Sequence, residues 1–174
     1  TWEDAIGCAQ WLIEHRYTSP ATLGLAGTSA GGIMVGNAVV ARPDLFAAAF
    51  MRVGVMNPVR FEATPNGTNN APEFGTVATP EGLRSLVGMD AYLKVKDGVR
   101  YPAILVEAGM TDPRVIVWQP AKMAARLQEA TVSGAPVLLR IEEHAGHGVG
   151  SSRSQATEVS ADELAFLFAQ ARKP

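Results

Sequence analysis

Thr22-Leu23-Gly24-Leu25-Ala26-Gly27-Thr28-Ser29-Ala30-Gly31-Gly32 runs directly into Ile33-Met34-Val35-Gly36-Asn37-Ala38-Val39-Val40-Ala41, and this stretch decides the fold. Thr22 to Gly27 is a short apolar run of small residues, the pattern of a buried strand. The segment from Ala30 to Ala41 is apolar on most sides, as a well-buried helix is, and Pro43 stops it. Between them Gly27-Thr28-Ser29-Ala30-Gly31 has the form G-x-S-x-G, in which a serine occupies a strained strand-to-helix turn with its hydroxyl clear of the sheet. Flanking glycines permit the close backbone approach that such a turn needs. The plainer alternative makes Ser29 only the N-cap of the helix. If Ser29 is a nucleophile, the Ala30 N–H at the helix N-terminus is placed to stabilise a developing oxyanion.

The same alternation continues on either side. Trp2, Ile6, Ala9, Trp11, Leu12 and Ile13 recur at helical spacing before the turn Tyr17-Thr18-Ser19-Pro20. Phe46 to Val55 reads as a second strand, Ala103 to Ala108 as a third and Pro136 to Ile141 as a fourth. Helical patterns cover Gln119 to Thr131 and Val159 to Ala171, the latter with Leu164, Phe166, Leu167 and Phe168 expected inward. From Pro58 to Tyr101 the periodicity fades among Pro, Gly and Asn, with one short helix expected around Glu81 to Val87. Strands alternating with helices predict one α/β domain, a mostly parallel sheet of about four strands with helices on both faces.

An exposed serine needs a base, and the base needs an orienting carboxylate. The chain has three histidines. His15 ends a helix ahead of the nucleophile strand and reads as a C-terminal cap or surface residue. His144 and His147 both follow the fourth strand, in Glu143-His144-Ala145-Gly146-His147-Gly148. His147 is favoured because its flanking glycines leave the backbone free to bring the ring over a serine, and His144 stays open as the alternative. Thr111-Asp112-Pro113-Arg114 comes directly after the third strand, so its acid lies at the same sheet edge as Ser29. An isolated Asp-Pro is ordinarily just a turn. Here three successive strand-end turns offer Ser, Asp and His, the chain order that α/β-hydrolases use.

Composition narrows the remaining classes. The 174 residues are 47% apolar and 18% charged, ordinary for a globular protein. A net charge of -2 gives no footprint for nucleic acid or an anionic membrane. The single cysteine excludes an internal disulfide, and the His and Cys positions show no zinc-ligand spacing, so no metal or other cofactor is expected. No apolar run is long enough to span a membrane. Cys8 is expected as buried packing in the first helix. Glu107, near the end of the third strand, is read either as touching the site or as a satisfied buried carboxylate. Asn66-Gly67-Thr68 matches a glycosylation sequon but equally a common Asn-Gly turn. A nucleotide-binding use of Gly27 to Gly32 would need a P-loop lysine or a G-x-G-x-x-G run, and neither is present.

Gly27-Thr28-Ser29-Ala30-Gly31-Gly32, Arg42-Pro43-Asp44-Leu45-Phe46, Val53-Gly54-Val55-Met56-Asn57, Asp112-Pro113-Arg114-Val115 and Ala145-Gly146-His147-Gly148 together resemble the catalytic domain of the prolyl oligopeptidase family. The resemblance implies an α/β-hydrolase fold, the triad Ser29, Asp112 and His147, and acyl transfer to serine followed by hydrolysis of a short peptide or small ester. It further implies that Arg114 holds a substrate carbonyl. The substrate-proline platform of the family would fall around Asn69-Asn70-Ala71-Pro72-Glu73-Phe74, where this chain has no tryptophan; Asn70 and Phe74 are the candidates there. Family members carry a β-propeller and about half of the hydrolase sheet before the nucleophile, so residues 1–174 are expected to be a partial catalytic domain, lacking the upstream tyrosine that helps to bind the oxyanion. The nucleophile strand is then expected to leave a bare edge that pairs with another copy or another chain. A short-chain esterase and an inactive oligomerising scaffold remain alternatives, and a soluble location in cytoplasm or periplasm is left open.

Overall fold

Four apolar runs form the sheet: β1 (Gly24–Thr28), β2 (Ala48–Arg52), β3 (Ala103–Gly109) and β4 (Val137–Glu142). The computed structural model describes residues 1–148 and 152–171. All three strand pairs are parallel and the spatial order is the sequence order, β1-β2-β3-β4. In such a sheet right-handed crossovers place every intervening helix on one face. Accordingly α2 (Gly31–Ala41) packs on β1 and β2, α6 (Trp118–Ala130) packs on β3 and β4, and α1 (Trp2–Glu14) lies against α2. Alternation along the strands sorts the side chains. Leu25, Ala49, Met51, Ile104 and Val106 join Val35, Ala38, Val39, Met123 and Leu127 in the main core.

The opposite face carries α7 (Arg153–Gln170), which touches β2 and β3. This helix starts six residues earlier than the periodicity predicts, because Ser152 and Gln155 form a reciprocal capping box ahead of it. Of its side chains only Val159 is buried. Leu164 and Phe168, expected inward, are 53% and 75% exposed. The physical reason is lateral: beside β1 the helix overhangs a groove of about 290 Å³ lined by Gly24, Ala26, Leu164, Leu167 and Phe168. Cover on both faces is thus full on the α2/α6 side and partial on the α7 side among the described residues. Cys8 is a second correction, since α1 buries Ala9 against α2 and leaves Cys8 exposed.

Between β2 and β3 the weakly patterned segment folds as a 3-10 stretch (Pro58–Ala63), a 3-10 turn (Thr68–Asn70) and three helices, α3 (Ala71–Phe74), α4 (Pro80–Met89) and α5 (Ala91–Lys94). Thr79 caps α4 by accepting from the Gly82 N–H, and Asp90 caps α5 by accepting from the Leu93 N–H. Asp90 is fully buried, and it also accepts from the Asn57 amide at 2.5 Å and the Val59 N–H at 3.1 Å. One carboxylate thereby anchors an irregular segment to the end of β2. Burial raises its pKa, against the hydrogen bonds from Leu93, Val59 and Asn57 and the charge of Lys122.

Candidate active site

Ser29 follows the last residue of β1 and sits at φ 57°, a left-handed conformation rarely adopted outside glycine. It is held there by its neighbours. The Ser29 N–H donates to the Arg52 carbonyl at 2.9 Å, and the Ser29 carbonyl accepts from Gly32 and Val55 at 2.9 and 3.0 Å. A side chain at position 32 would place its Cβ 2.7 Å from Gly54 Cα and 2.9 Å from the Val55 nitrogen, so the first turn of α2 can approach the β2 loop only as glycine. Val53, at the tip of that loop, also has a positive φ of 41°. For a β-branched residue this is strain, and it persists because the Val53 N–H is tied to the Glu107 carbonyl at 2.9 Å.

Asp112 lies in the turn after β3. One carboxylate oxygen accepts from the Arg114 and Val115 N–H groups at 2.8 and 3.0 Å. The other meets His147 Nδ1 at 2.7 Å. His147 Nε2 is in turn 2.8 Å from Ser29 Oγ. An ionised carboxylate only accepts, so Nδ1 carries the proton and Nε2 presents its lone pair to the serine hydroxyl. The Asp112 side chain is fully enclosed and that of His147 is 7% exposed, so the chain of bonds is dry along most of its length. The acid turn and the histidine turn are zipped together: Met110 N–H donates to the Glu142 carbonyl, and the Thr111 N–H and hydroxyl both donate to the Ala145 carbonyl. Gly109 makes this possible, since a Cβ there would stand 2.3 Å from the Gly146 carbonyl oxygen.

Ala30 is the N-cap residue of α2, and among the described residues no backbone carbonyl takes its N–H. Ala30 also borders a cavity of about 490 Å³ lined by Trp2, Ile33, Met34, Glu73, Phe74 and Met89. Phe74 is therefore brought beside the nucleophile turn. Asn70 is not: it lines a smaller hollow that shares only Phe74 with that cavity, and its amide donates to the Asn66 carbonyl at 2.8 Å. The Arg114 side chain is exposed and has no hydrogen-bond or ionic partner among the described residues. His144 is exposed as well, while His15 caps α1 through Nδ1 at 2.9 Å from the Trp11 carbonyl. Trp2, Met34 and Met89 had no sequence signal beyond helical spacing.

Glu107 is buried on the α7 face, where β2-β3-β4 register aligns it with Arg52 and Arg140. Arg52 Nε approaches its carboxylate to 3.5 Å. Glu107, Arg52, Gly109, Ala145, Gly146 and Val159 surround a hollow beneath the histidine turn. Burial pushes the Glu107 carboxyl above the usual range, against the charges of Arg52 and Arg140.

A sequence model of the prolyl oligopeptidase family matches residues 1–173. The chain is 36% identical over 168 residues to a prolyl endopeptidase of Elizabethkingia miricola, an alignment covering 96% of this chain and 24% of that protein. A prolyl endopeptidase of Dictyostelium discoideum is 33% identical over 169 residues, covering 95% and 22%. Among solved structures, a prolyl endopeptidase aligns with a TM-score of 0.93 at 36% identity, over 98% of this chain and 25% of the other. Oligopeptidase B from Leishmania major aligns with a TM-score of 0.93 at 29% identity, over 98% and 24%. The chain spans about a quarter of the length of these relatives.

Proposed function

The chain belongs to the prolyl oligopeptidase family, and on that premise we propose that it carries the nucleophile, acid and base of a serine peptidase of α/β-hydrolase fold. The observation that carries the proposal is the continuous relay from Asp112 through His147 to a serine held at positive φ. In the first step His147 Nε2 takes the Ser29 proton as Oγ bonds to the substrate carbonyl carbon. The carbonyl π electrons move to oxygen, and the Ala30 N–H faces that charge. As the tetrahedral intermediate collapses, the C–N or C–O bond breaks and His147 returns the proton to the departing nitrogen or oxygen, releasing an amine or alcohol. Water then repeats the sequence on the acyl-serine and frees the acid. Asp112 keeps the imidazole in the required tautomer and offsets its transient positive charge.

The substrate side is read from the cavity at Ala30. Its apolar walls suit a compact apolar group next to the scissile bond, with Phe74 as the aromatic contact. The Arg114 side chain, free of protein partners among the described residues, is assigned the substrate carbonyl beyond it. Asn70 shapes this region through its bond to Asn66 and stands behind Phe74. Short peptides are the proposed substrates. Small esters follow as activated surrogates. We read residues 1–174 as the part of a catalytic domain that holds the triad. The edge of β1 not paired with β2 has no partner among the described residues, and we assign it to pairing with a further strand from another chain or another copy. No described helix is long and apolar enough to cross a membrane.

The direct test is hydrolysis of a p-nitrophenyl ester by the chain and by Ser29→Ala, together with labelling by a fluorophosphonate. Turnover and labelling in the parent, both lost in the variant, is the expected result. Labelling that persists in Ser29→Ala would remove Ser29 from its role.

A further inference from the structure

A second cleft, sharing no lining residue with the cavity at Ala30, opens between the loop after β2, α5 and the first turn of α6. Its volume is about 400 Å³, and its walls are Asn57, Val59, Arg60, Tyr92, Leu93, Trp118 and Lys122. That volume falls in the range of small-ligand sites. Two cations face it. Lys122 Nζ donates to Asn57 Oδ1 at 2.8 Å and stands 3.9 Å above the Tyr92 ring centroid and 5.5 Å from that of Trp118. Arg60 is exposed, and its guanidinium has no hydrogen bond or ion pair with any described residue. Asp90, the carboxylate whose charge acts on Lys122, is fully buried and already accepts from Asn57, Val59 and Leu93.

The charge balance of the open cleft is therefore positive. Burial lowers the Lys122 pKa, Asp90 pulls it back up, and Arg60 lowers it again by like-charge repulsion. Two mutually repelling cations lining one cleft are relieved by an anion between them. The other walls are Val59, Leu93 and the faces of Tyr92 and Trp118, which a bare inorganic anion would leave uncovered. We propose that this cleft binds a carboxylate with an apolar body, its charge between Arg60 and Lys122 and its body against Trp118 and Leu93. The C-terminal residue of a peptide and a free acylated amino acid both have this chemistry. The site is independent of the hydrolytic reading, since no step of it involves Ser29.

The test is an NMR titration of the 15N-labelled chain carrying Ser29→Ala, which prevents turnover of peptide ligands. The probes are N-acetyl-leucine and Gly-Gly-Gly-Leu, each against its C-terminal amide. Shifts centred on the Trp118 indole and the Tyr92 and Leu93 amides are expected with the acids, and binding at least about tenfold weaker with the amides. Arg60→Gln should weaken acid binding about fivefold or more, and added salt should weaken it further. Lys122→Met should do the same; because Lys122 also bonds Asn57, the exposed Arg60 variant keeps the test decisive if Lys122→Met fails to fold. Preference for one acid identifies the source, peptide terminus or free acid. Equal binding of acid and amide, no effect of Arg60→Gln, or shifts centred on Ala30 and Phe74 would overturn the proposal.

Discussion

The meeting of Ser29, Asp112 and His147 was foreshadowed in the sequence because each occupies the turn after a strand, and turn chemistry leaves strong local signals. Ser29 sits between glycines, Asp112 precedes a proline, and His147 lies between two glycines. What could not be read was the packing that sets their spacing. Gly109 reads in the sequence only as the start of the turn after the third strand, yet it is where the acid and histidine turns close upon each other. Gly109→Ala would drive a methyl group into the Gly146 and Ala145 carbonyls, at 2.3 and 2.5 Å without relaxation. The histidine turn must shift, and displacements of about 1 Å cost on the order of 10²-fold in rate. The expected outcome is a fall in kcat of about ten- to a hundredfold with little change in KM for an activated ester. An unchanged kcat would mean that the two turns do not position His147. Asp112→Asn probes the relay itself, with a loss of up to about 10⁴-fold expected in kcat from the wrong imidazole tautomer.

Strands were legible as apolar runs of five to seven residues, and the longer helices because ten or more residues display a period. The two helices Ala71–Phe74 and Ala91–Lys94 have four residues each, about one turn, and display none. Helix α7 showed the reverse problem: its apolar residues suggested an inward face, but packing mainly on β2 and β3 leaves Leu164 and Phe168 exposed. Glu107 became interpretable only through register, which sets Arg52 and Arg140 on either side of it. Its pKa is raised above the ordinary 4.5 by burial, with Arg52 and then Arg140 opposing. A carboxyl raised in the folded state contributes stability that is fully present below the unfolded pKa and lost as pH rises through the folded one. Glu107→Gln has no such loss. The urea midpoint of the variant should therefore gain on the parent as pH rises above the ordinary 4.5. A difference that stays constant across that range would show that Glu107 does not titrate in it.

At the scale of the molecule, the described residues cover one face well and leave the other partly open. The β1 edge, which has no strand partner among the described residues, lies beside the groove of Gly24, Ala26, Leu164, Leu167 and Phe168, so backbone donors and apolar side chains are offered together. Exposed strand edges next to apolar surface favour association. Sedimentation velocity at micromolar concentration should show self-association, reduced by Phe168→Glu. A well-folded monomer under those conditions would remove the edge-pairing reading.

The sheet order also has a kinetic consequence. The serine stands at one outer strand and the histidine follows the other, so a hydrogen bond joins residues 118 positions apart in the chain. Every strand must be in place before that bond can form, whereas α1, α2 and α6 can form from local contacts. During refolding, catalytic competence thus serves as a clock for the last event, and returning activity should lag behind returning helicity.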